Sequence, residues 1–254
     1  MNAKQAPQAP GTNEFGQIIG PEVSNWQNPP HVGEAELTQH LVGQYCQLVP
    51  LRKEDDYALM AAFDQAADSL WTYLPYGPFK GVRSYQKWIR SLLRQSATLF
   101  AYTIQTPEGQ VLGLCAYARI DPSAGSIEIA HLCFSPLLQQ TCAATEAIYM
   151  MIDAAFHLGY RRCEWKCNSL NLPSVAAAGR FGFRYEGTFR QAQVVKGHNR
   201  DTDWFSILDH EWPLIKPCYE NWLDKKNFDA KGKQRARLSV LTHKAIERSK
   251  ADSA

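Results

Sequence analysis

The chain has 254 residues, of which 45% are hydrophobic and 11% aromatic, and its formal net charge at pH 7 is +2. A chain of this size and composition can bury a sizeable core, which excludes disorder throughout its length. The longest apolar runs, residues 111–117 and 147–152, fall far below the roughly 20 residues needed to cross a bilayer, and the amino terminus lacks the apolar stretch of a secretory signal. We therefore expect a cytoplasmic protein with no membrane partner.

Cysteine usage points to the same compartment. The seven cysteines are an odd number and lie far apart, mostly inside apolar segments, which is typical of buried thiols rather than of a disulfide framework. Cys163 and Cys167 form the closest pair, but no second pair and no nearby histidine complete a zinc-binding spacing. The sequence therefore predicts no metal site.

The first elements in chain order are an arm, a strand and two helices. Residues 1–45 contain five prolines and little periodicity, which predicts an extended, partly disordered arm that drapes over the domain. A short strand follows at residues 47–52, and an acidic first turn opens a helix over residues 53–67. A second helix is predicted over residues 82–94. The aromatic loop between the helices, residues 71–79, either floors a pocket or simply packs.

The pattern then changes from a helical period to a period of two. Residues 99–105, 111–120 and 126–134 read as strands separated by turns, which predicts an antiparallel meander. Apolar residues spaced three and four apart predict a long helix over residues 143–158, and Gly159 is placed to end it.

The predicted order ends with a strand at residues 161–167, a short helix at 172–180 and two strands at 184–195 and 202–210, which are joined by a hairpin tip at 196–201. A strand that is joined through a helix to its neighbour lies parallel to it. The strands on either side of the long helix should therefore form a parallel pair within a mixed sheet. The expected fold class is α/β.

Three short phrases carry a resemblance to a known family. Residues 139–144, at the junction between the third meander strand and the long helix, read Gln-Gln-Thr-Cys-Ala-Ala. Residues 171–174 read Asn-Leu-Pro-Ser, and residues 182–187 read Gly-Phe-Arg-Tyr-Glu-Gly. With two weaker phrases, they make the chain resemble the GNAT acyltransferases over about residues 46–212, and among them the RimJ/RimL type, the ribosomal-protein N-terminal acetyltransferases. The resemblance implies a mostly antiparallel, mixed sheet of about seven strands, flanked by helices, whose parallel pair splays apart.

A helix start is suited to bind a pyrophosphate, because its first N–H groups lack partners inside the helix and its dipole favours an anion. The resemblance implies that acetyl-CoA is bound in this way by Gln139, Gln140, Thr141, Cys142, Ala143 and Ala144. In the family pattern, Gln/Arg-x-x-Gly-x-Gly/Ala, the central glycine allows close approach of the backbone, and Cys142 stands in its place. Cys142 is either a small filler residue or a nucleophile whose pKa the helix start lowers.

The resemblance also implies a slot between the splayed strands for the pantetheine arm of acetyl-CoA. Its amides would pair with the main chain of Leu132, Cys133 and Phe134 as an added strand would. Asn171 is an N-cap for the short helix by its own chemistry, and a cofactor contact by the resemblance. Ser174 stands at the family position that protonates the departing thiolate, and without that role it is a solvated serine of the first helical turn.

Transfer to an amine also needs a group that accepts a proton from it. Glu128 on the third meander strand and Glu186, shortly after Gly182 and Phe183, are the candidate bases, and each is otherwise a solvated or strand-edge carboxylate. The position that supplies the base in the RimJ/RimL branch falls on Gln193, which cannot accept the proton. Strict alternation along the strand puts Glu128 and His131 on opposite faces.

The sequence therefore predicts an acetyl-CoA-dependent N-acetyltransferase that acts on a primary amine, either a protein N-terminal α-amine or a small amine, by direct attack on the thioester. A degenerate, non-catalytic acyl-CoA-binding or regulatory module is the alternative, because of Cys142 and Gln193. A ribosome- or RNA-associated protein is a third interpretation, since residues 225–254 hold nine Lys/Arg against three Asp/Glu. A weakly ordered, solubilising end explains the same charge, and no nucleic-acid motif supports a nucleic-acid partner.

Three parts are expected along the chain. They are an extended arm over residues 1–45, the GNAT acyltransferase domain over residues 46–212, and a helical, basic extension over residues 213–254. The expected partners are acetyl-CoA and the amine acceptor, and a homodimer is compatible with the sequence.

Overall fold

A computed structural model describes residues 9–23, 26–34 and 40–251 of the chain. In these parts the chain forms ten strands and six α-helices, joined by turns and short 3₁₀ segments. The elements are β1 (Gly11–Thr12), β2 (Ile18–Ile19), β3 (Leu41–Val42), β4 (Gln47–Pro50), α1 (Asp56–Phe63), α2 (Val82–Leu93), β5 (Leu99–Gln105), β6 (Val111–Asp121), β7 (Ser126–Phe134), α3 (Cys142–His157), β8 (Arg162–Asn168), α4 (Leu172–Arg180), β9 (Arg184–Val195), β10 (His198–Leu208), α5 (Trp212–Leu223) and α6 (Leu238–Ala251).

Eight of the strands form one sheet in the order β3-β4-β5-β6-β7-β8-β10-β9. Its neighbouring strands are antiparallel except for β7 and β8, which are parallel and are joined through α3. The predicted α/β class, with a mixed sheet and a parallel pair around the long helix, is confirmed. The sheet has eight strands rather than about seven because the two-residue β3 adds to its edge.

Helices cover both faces of this sheet. On one face α3 buries Ile148 against Ile127 of β7, and neither side chain is exposed. On the other face α1 and α2 pack around Leu114 of β6 and the indole of Trp71. Burial of apolar surface on both sides holds the strands in place.

The described part of the segment before residue 46 contacts the core and the residues after α3. Val32 is fully buried in the core beside α3. The hydroxyl of Tyr160 donates to the carbonyl of Pro30 at 2.9 Å. Residues 1–8, 24–25 and 35–39 of the predicted arm lie outside the described residues.

The C-terminal extension is helical and packs against the domain. The ring of Tyr219 on α5 stacks on Tyr149 of α3, with 5.5 Å between the ring centroids. α6 buries Leu238 and Thr242, and the Thr242 hydroxyl donates to the carbonyl of Arg180 at 3.2 Å. Within the described residues, the basic end of the chain thus includes a helix, α6, that packs on the domain through its first turns. In the described parts, no helix is both long and apolar enough to span a membrane.

The first helix is shorter than predicted. α1 ends at Phe63, and Ala67 has an extended backbone with ψ of 148°. This break lets the chain turn into a short 3₁₀ segment that carries Trp71 into the aromatic cluster, where its ring lies 5.3 Å from that of Phe63. Packing of one large side chain thus overrides the helical pattern of residues 64–67.

The β9–β10 hairpin is tighter than predicted. Lys196 and Gly197 alone form the turn, with φ of 51° and 80°, as a two-residue hairpin turn requires. Residues 198–201, predicted as the hairpin tip, begin β10 instead, and Arg200 pairs with Gln193 of β9. Arg200 is therefore a strand residue whose side chain has a defined face.

Candidate active site

Separation of β7 and β8 opens a cavity in the middle of the sheet. The two strands pair only over residues 126–129 and 162–165, although β7 continues to Phe134 and β8 to Asn168. The splay that the resemblance implied is thus confirmed. The cavity has a volume of about 630 Å³, and its walls come from β7, β8, the β9–β10 hairpin, residues 73–75 and the start of α4. The aromatic loop therefore both packs and lines a pocket.

A bulge in β7 changes the expected facing of its side chains. Between two pairs of the β6–β7 ladder, β6 contributes one residue and β7 two, and His131 has a φ of 52°. The extra residue inverts the alternation after Ala130. The prediction that Glu128 and His131 lie on opposite faces is therefore wrong, and both line the cavity.

His131 is held in place by Tyr76 from the aromatic loop. The two rings are stacked, with centroids 5.7 Å apart, and Tyr76 Oη lies 3.0 Å from His131 Nδ1. Burial lowers the pKa of His131 to about 4, so its ring is neutral at pH 7. A neutral, stacked imidazole shapes the wall of the cavity without adding charge to it.

The start of α3 presents backbone donors that have no protein acceptor. The Thr141 hydroxyl caps the helix by accepting from the Ala144 N–H at 3.1 Å. The N–H groups of Gln140, Cys142 and Ala143 make no hydrogen bond within the described parts of the chain. Three free donors at the positive end of a 16-residue helix are the arrangement that an anion requires.

Cys142 occupies this helix start without needing the conformation of a glycine. Its φ is not positive, and its side chain packs against the core beside α3. Burial raises the pKa of the Cys142 thiol, and the nearby Glu146 carboxylate adds to the effect. A raised pKa disfavours the thiolate. This argues against the nucleophile interpretation and favours the small filler.

Asn171 and Ser174 lie at the cavity as one capped turn. The Asn171 side-chain oxygen accepts from the Ser174 N–H at 3.3 Å, which confirms the expected N-cap. The indole N–H of Trp165 donates to Ser174 Oγ at 3.1 Å. Because the oxygen of Ser174 is the acceptor in this bond, its own O–H can donate, and the sulfur of Cys167 is its partner in the protein.

Glu128 is buried at the floor of the cavity with two cations. Its carboxylate lies 2.8 Å from Lys166 Nζ and 3.7 Å from Arg119 Nε, and the residue is 6% exposed. Burial raises the pKa of Glu128, and the positive charge of Lys166 opposes that shift. A carboxylate with a raised pKa is a stronger proton acceptor than an ordinary one.

Sequence reasoning missed the cationic wall beside Glu128. Lys166 Nζ and the Arg119 guanidinium carbon lie 4.7 and 5.2 Å from the centroid of the Trp204 ring, as cation–π contacts do. Lys166 and Trp204 are directly opposite in the β8–β10 ladder. The sequence signal that could have revealed this wall is Lys166 inside a buried strand, since a buried cation needs a partner.

Glu186, the other predicted base, lies outside the cavity. Arg162 binds both of its carboxylate oxygens, with distances of 2.8 and 2.5 Å, and the Ser206 hydroxyl donates to it at 2.6 Å. These bonds hold the pKa of Glu186 below its ordinary value, chiefly through Arg162. Arg162 pairs with the start of β7, away from the splay. The structure therefore gives Glu186 the role of an ion-pair partner.

The three residues predicted to pair with pantetheine, 132–134, differ in their surroundings. Leu132 lines the cavity, while Cys133 is buried with its Sγ 3.3 Å from Tyr76 Oη. The Phe134 carbonyl accepts from the side-chain amide of Gln139 at 2.9 Å. Beyond residue 129, the β8 side of β7 has no strand partner among the described residues. The open edge there can take an added strand.

Comparison with known proteins gives a family match. A family model described as an acetyltransferase (GNAT) domain matches residues 46–184. A crystal structure of a GCN5-related N-acetyltransferase from Brucella melitensis is 38% identical with a TM-score of 0.82, and the match covers 87% of this chain and 100% of that one. A protein named uncharacterized N-acetyltransferase p20, from Bacillus licheniformis, is 28% identical over 148 residues, which is 55% of this chain and 80% of the relative.

The RimL type is also among the similar structures. A RimL structure described as a ribosomal L7/L12 alpha-N-protein acetyltransferase has a TM-score of 0.59 at 19% identity, and the match covers 66% of this chain and 92% of that one. At this identity the likeness shows a shared fold only.

Proposed function

The chain belongs to the GNAT family of acetyltransferases, and from this premise we propose that it transfers the acetyl group of acetyl-CoA to a primary amine by direct attack of the amine on the thioester. The acceptor is either the α-amine of a protein or a small amine. One observation carries the proposal: a candidate proton acceptor, Glu128, and a candidate proton donor, Ser174, line the same cavity between the splayed strands.

Residues on two sides of the splay fit acetyl-CoA. The free N–H groups of Gln140, Cys142 and Ala143 would hold its diphosphate at the start of α3. The open edge of β7 around Leu132 would pair with the pantetheine amides, and Asn171 lies where it can contact the same arm. When bound there, acetyl-CoA supplies the activated acyl group.

Glu128 accepts the proton of the attacking amine, directly or through a water. Its raised pKa suits it to this role. The cations Arg119, Lys166 and Arg200 around the cavity also favour the neutral form of the amine, because positive charge nearby lowers an ammonium pKa. The amine therefore needs only a weak base, and Gln193 at the family's usual base position need not accept a proton.

Ser174 supplies a proton to the departing thiolate. The bond from Trp165 fixes the position of the Ser174 oxygen and leaves its O–H to donate. A further hydrogen bond, from the Ser174 N–H to the side-chain oxygen of Asn171, holds the backbone of Ser174 at the helix start. A donor held in this way needs little reorganisation in the transition state.

The test combines binding with turnover on the full chain. We expect calorimetry to show affinity for acetyl-CoA, and we expect release of the CoA thiol to depend on an added amine, with equimolar N-acetyl product by mass spectrometry. Binding of acetyl-CoA without acetylation of any amine would favour the non-catalytic module. A folded protein without affinity for acetyl-CoA would overturn the proposal entirely.

A further inference from the structure

One face of β10 presents a row of unsatisfied polar groups to the cavity. Arg200, Thr202 and Trp204 alternate along the strand, and all three line the cavity. Each has a buried polar atom, namely Nε, Oγ1 and Nε1, that finds no hydrogen-bond partner in the described parts of the chain. Buried polar groups in proteins are nearly always satisfied. Three such atoms in one row therefore indicate a polar ligand.

The charge around the cavity indicates the sign of that ligand. Arg119, Lys166 and Arg200 line the cavity, and Glu128 is the one carboxylate among its lining residues. Lys166 pairs with Glu128 at 2.8 Å, whereas the Arg200 guanidinium donates to the neutral side chain of Gln193 at 3.1 Å. The Arg119 side chain is 59% exposed and also interacts with the Asp121 carboxylate, so Arg200 is the half-buried cation that has no ion-pair partner among the lining residues. A half-buried cation in this situation is stabilised by a bound anion.

We propose that the acceptor amine carries a carboxylate, and that Arg200 binds this carboxylate together with the Thr202 hydroxyl and the indole N–H of Trp204. The inference rests on the proposed function and adds the chemical class of the acceptor. A guanidinium fork matches the planar geometry of a carboxylate and binds it through two parallel hydrogen bonds.

The position of Arg200 also limits the distance between the two groups of the acceptor. Arg200 and Glu128, which accepts the proton of the amine, line the same cavity of about 630 Å³. The carboxylate at Arg200 and the amine at Glu128 must fit this volume together, which limits the acceptor to a small unit that carries both groups. An α-amino acid and an N-terminal aspartate of a peptide both meet this condition.

Two matched pairs of amines test the proposal and separate these two sources. The first pair is L-phenylalanine and L-phenylalaninamide, and the second is the peptides Asp-Ala-Ala-NH₂ and Asn-Ala-Ala-NH₂. Thiol release from acetyl-CoA is measured, and kcat/KM is expressed per unprotonated amine so that differences in amine pKa cancel. We expect the acid of at least one pair to exceed its neutral partner by about tenfold or more, since one charge-assisted hydrogen bond is worth that much.

Variants of the row assign the preference to Arg200. We expect Arg200→Gln to reduce the ratio of acid to neutral kcat/KM to near one, and Arg200→Lys to keep part of it. Arg90→Gln, on the exposed face of α2, removes the same charge at a residue that does not line the cavity and should leave the ratio unchanged. Thermal melting and acetyl-CoA affinity of each variant confirm that it is folded.

The outcomes distinguish this inference from the proposed function. Equal kcat/KM within both pairs, or an acid preference that survives Arg200→Gln, would overturn the carboxylate proposal and leave the acetyltransferase intact. Acetyl-CoA binding without turnover of any of the four amines would overturn the carboxylate proposal, and absence of acetyl-CoA binding would remove the proposed function as well.

Discussion

At the scale of single residues, the role of Ser174 depends on its O–H donor. The Ser174 oxygen accepts from Trp165, and its O–H, which has the Cys167 sulfur as a partner, would turn to the departing thiolate. We expect Ser174→Ala to lower kcat by about a hundredfold, the usual contribution of a positioned proton donor. Steady-state thiol release at saturating acetyl-CoA measures this effect. The affinity for acetyl-CoA should change little, and Ser174→Thr, which keeps a hydroxyl at this position, is the control. An unchanged kcat in Ser174→Ala would make this serine part of a helix turn only.

The two candidate bases are separated by a pair of isosteric variants. We expect Glu128→Gln to lower kcat/KM strongly, because Glu128 lies in the cavity, and Glu186→Gln to retain it. In the parent protein kcat/KM should rise with pH through the raised pKa of Glu128, since the protonated carboxyl cannot accept a proton. The pH profile of Glu128→Gln should lack this rise. A profile that keeps the rise would assign it to another group.

Glu186 should instead affect stability. Arg162 lowers the pKa of Glu186 in the folded state. The contribution of Glu186 to the free energy of unfolding is therefore present above its unfolded-state pKa of about 4.3, and it is lost as pH falls through the lower folded-state pKa. The ion pair is partly exposed, and we expect Glu186→Gln to reduce the free energy of unfolding by about 1 kcal/mol at pH 7. Urea unfolding at pH 7 and at pH 3 checks that the difference between the two proteins shrinks in acid.

Residue roles could be predicted where they depend on local sequence. The cap from Asn171 to Ser174 follows from residues three apart, and it is present in the structure. The partner of Glu128 does not follow in this way, because Lys166 is brought to it only by the pairing of β7 with β8. The face on which Arg200 lies could not be predicted either, because a shift of one residue in the hairpin register would turn its side chain to the other face of the sheet.

At the scale of elements, the start of α3 offers a test that separates backbone from side chain. Proline is tolerated at the first helical position, and Thr141 before it is already extended, with φ of −100° and ψ of 166°. Cys142→Pro should therefore fold while lacking one of the three free N–H donors. We expect calorimetry to show roughly tenfold weaker binding of acetyl-CoA, the value of one hydrogen bond to a charged group.

The control for this variant keeps the donor and removes the thiol. Cys142→Ala should bind acetyl-CoA like the parent protein, because the thiol packs against the core rather than toward the free N–H groups. Equal binding by Cys142→Pro and Cys142→Ala would mean that this N–H does not contact acetyl-CoA. Weak binding by both would instead assign the effect to the cysteine side chain.

Element boundaries show where periodicity is informative and where it is not. The long helix, the meander strands and α4 lie within two residues of their predicted limits, because each has a sustained pattern and a stop signal. The bulge at His131 has no such signal, since nothing in the apolar pattern of β7 marks an extra residue. That single residue decides which side chains of β7 meet at the cavity.

At the scale of the whole molecule, the order of elements was enough to predict the parallel pair around α3, because a strand joined through a helix to its neighbour has few alternatives. The packing of the ends was not predictable in the same way. The proline-rich arm and the basic extension both have the composition of loosely held segments, yet Val32 and Leu238 from these segments are buried in the same core. Long-range packing of a few apolar residues outweighs the composition of the segments that carry them.

The packing of α6 leads to a prediction for the basic end of the chain. Leu238 is 1% exposed in the core, whereas Val240, two residues further on, is 47% exposed. We expect Leu238→Ala to lower the free energy of unfolding by about 3 kcal/mol, as loss of a buried leucine side chain does, and Val240→Ala to lower it by less than about 0.5 kcal/mol. Denaturant unfolding measures both values. Acetyl transfer under native conditions should persist in both variants, because α6 does not line the cavity. Equally small effects would mean that α6 is not packed in solution and that the basic end is the loosely ordered segment its composition indicates.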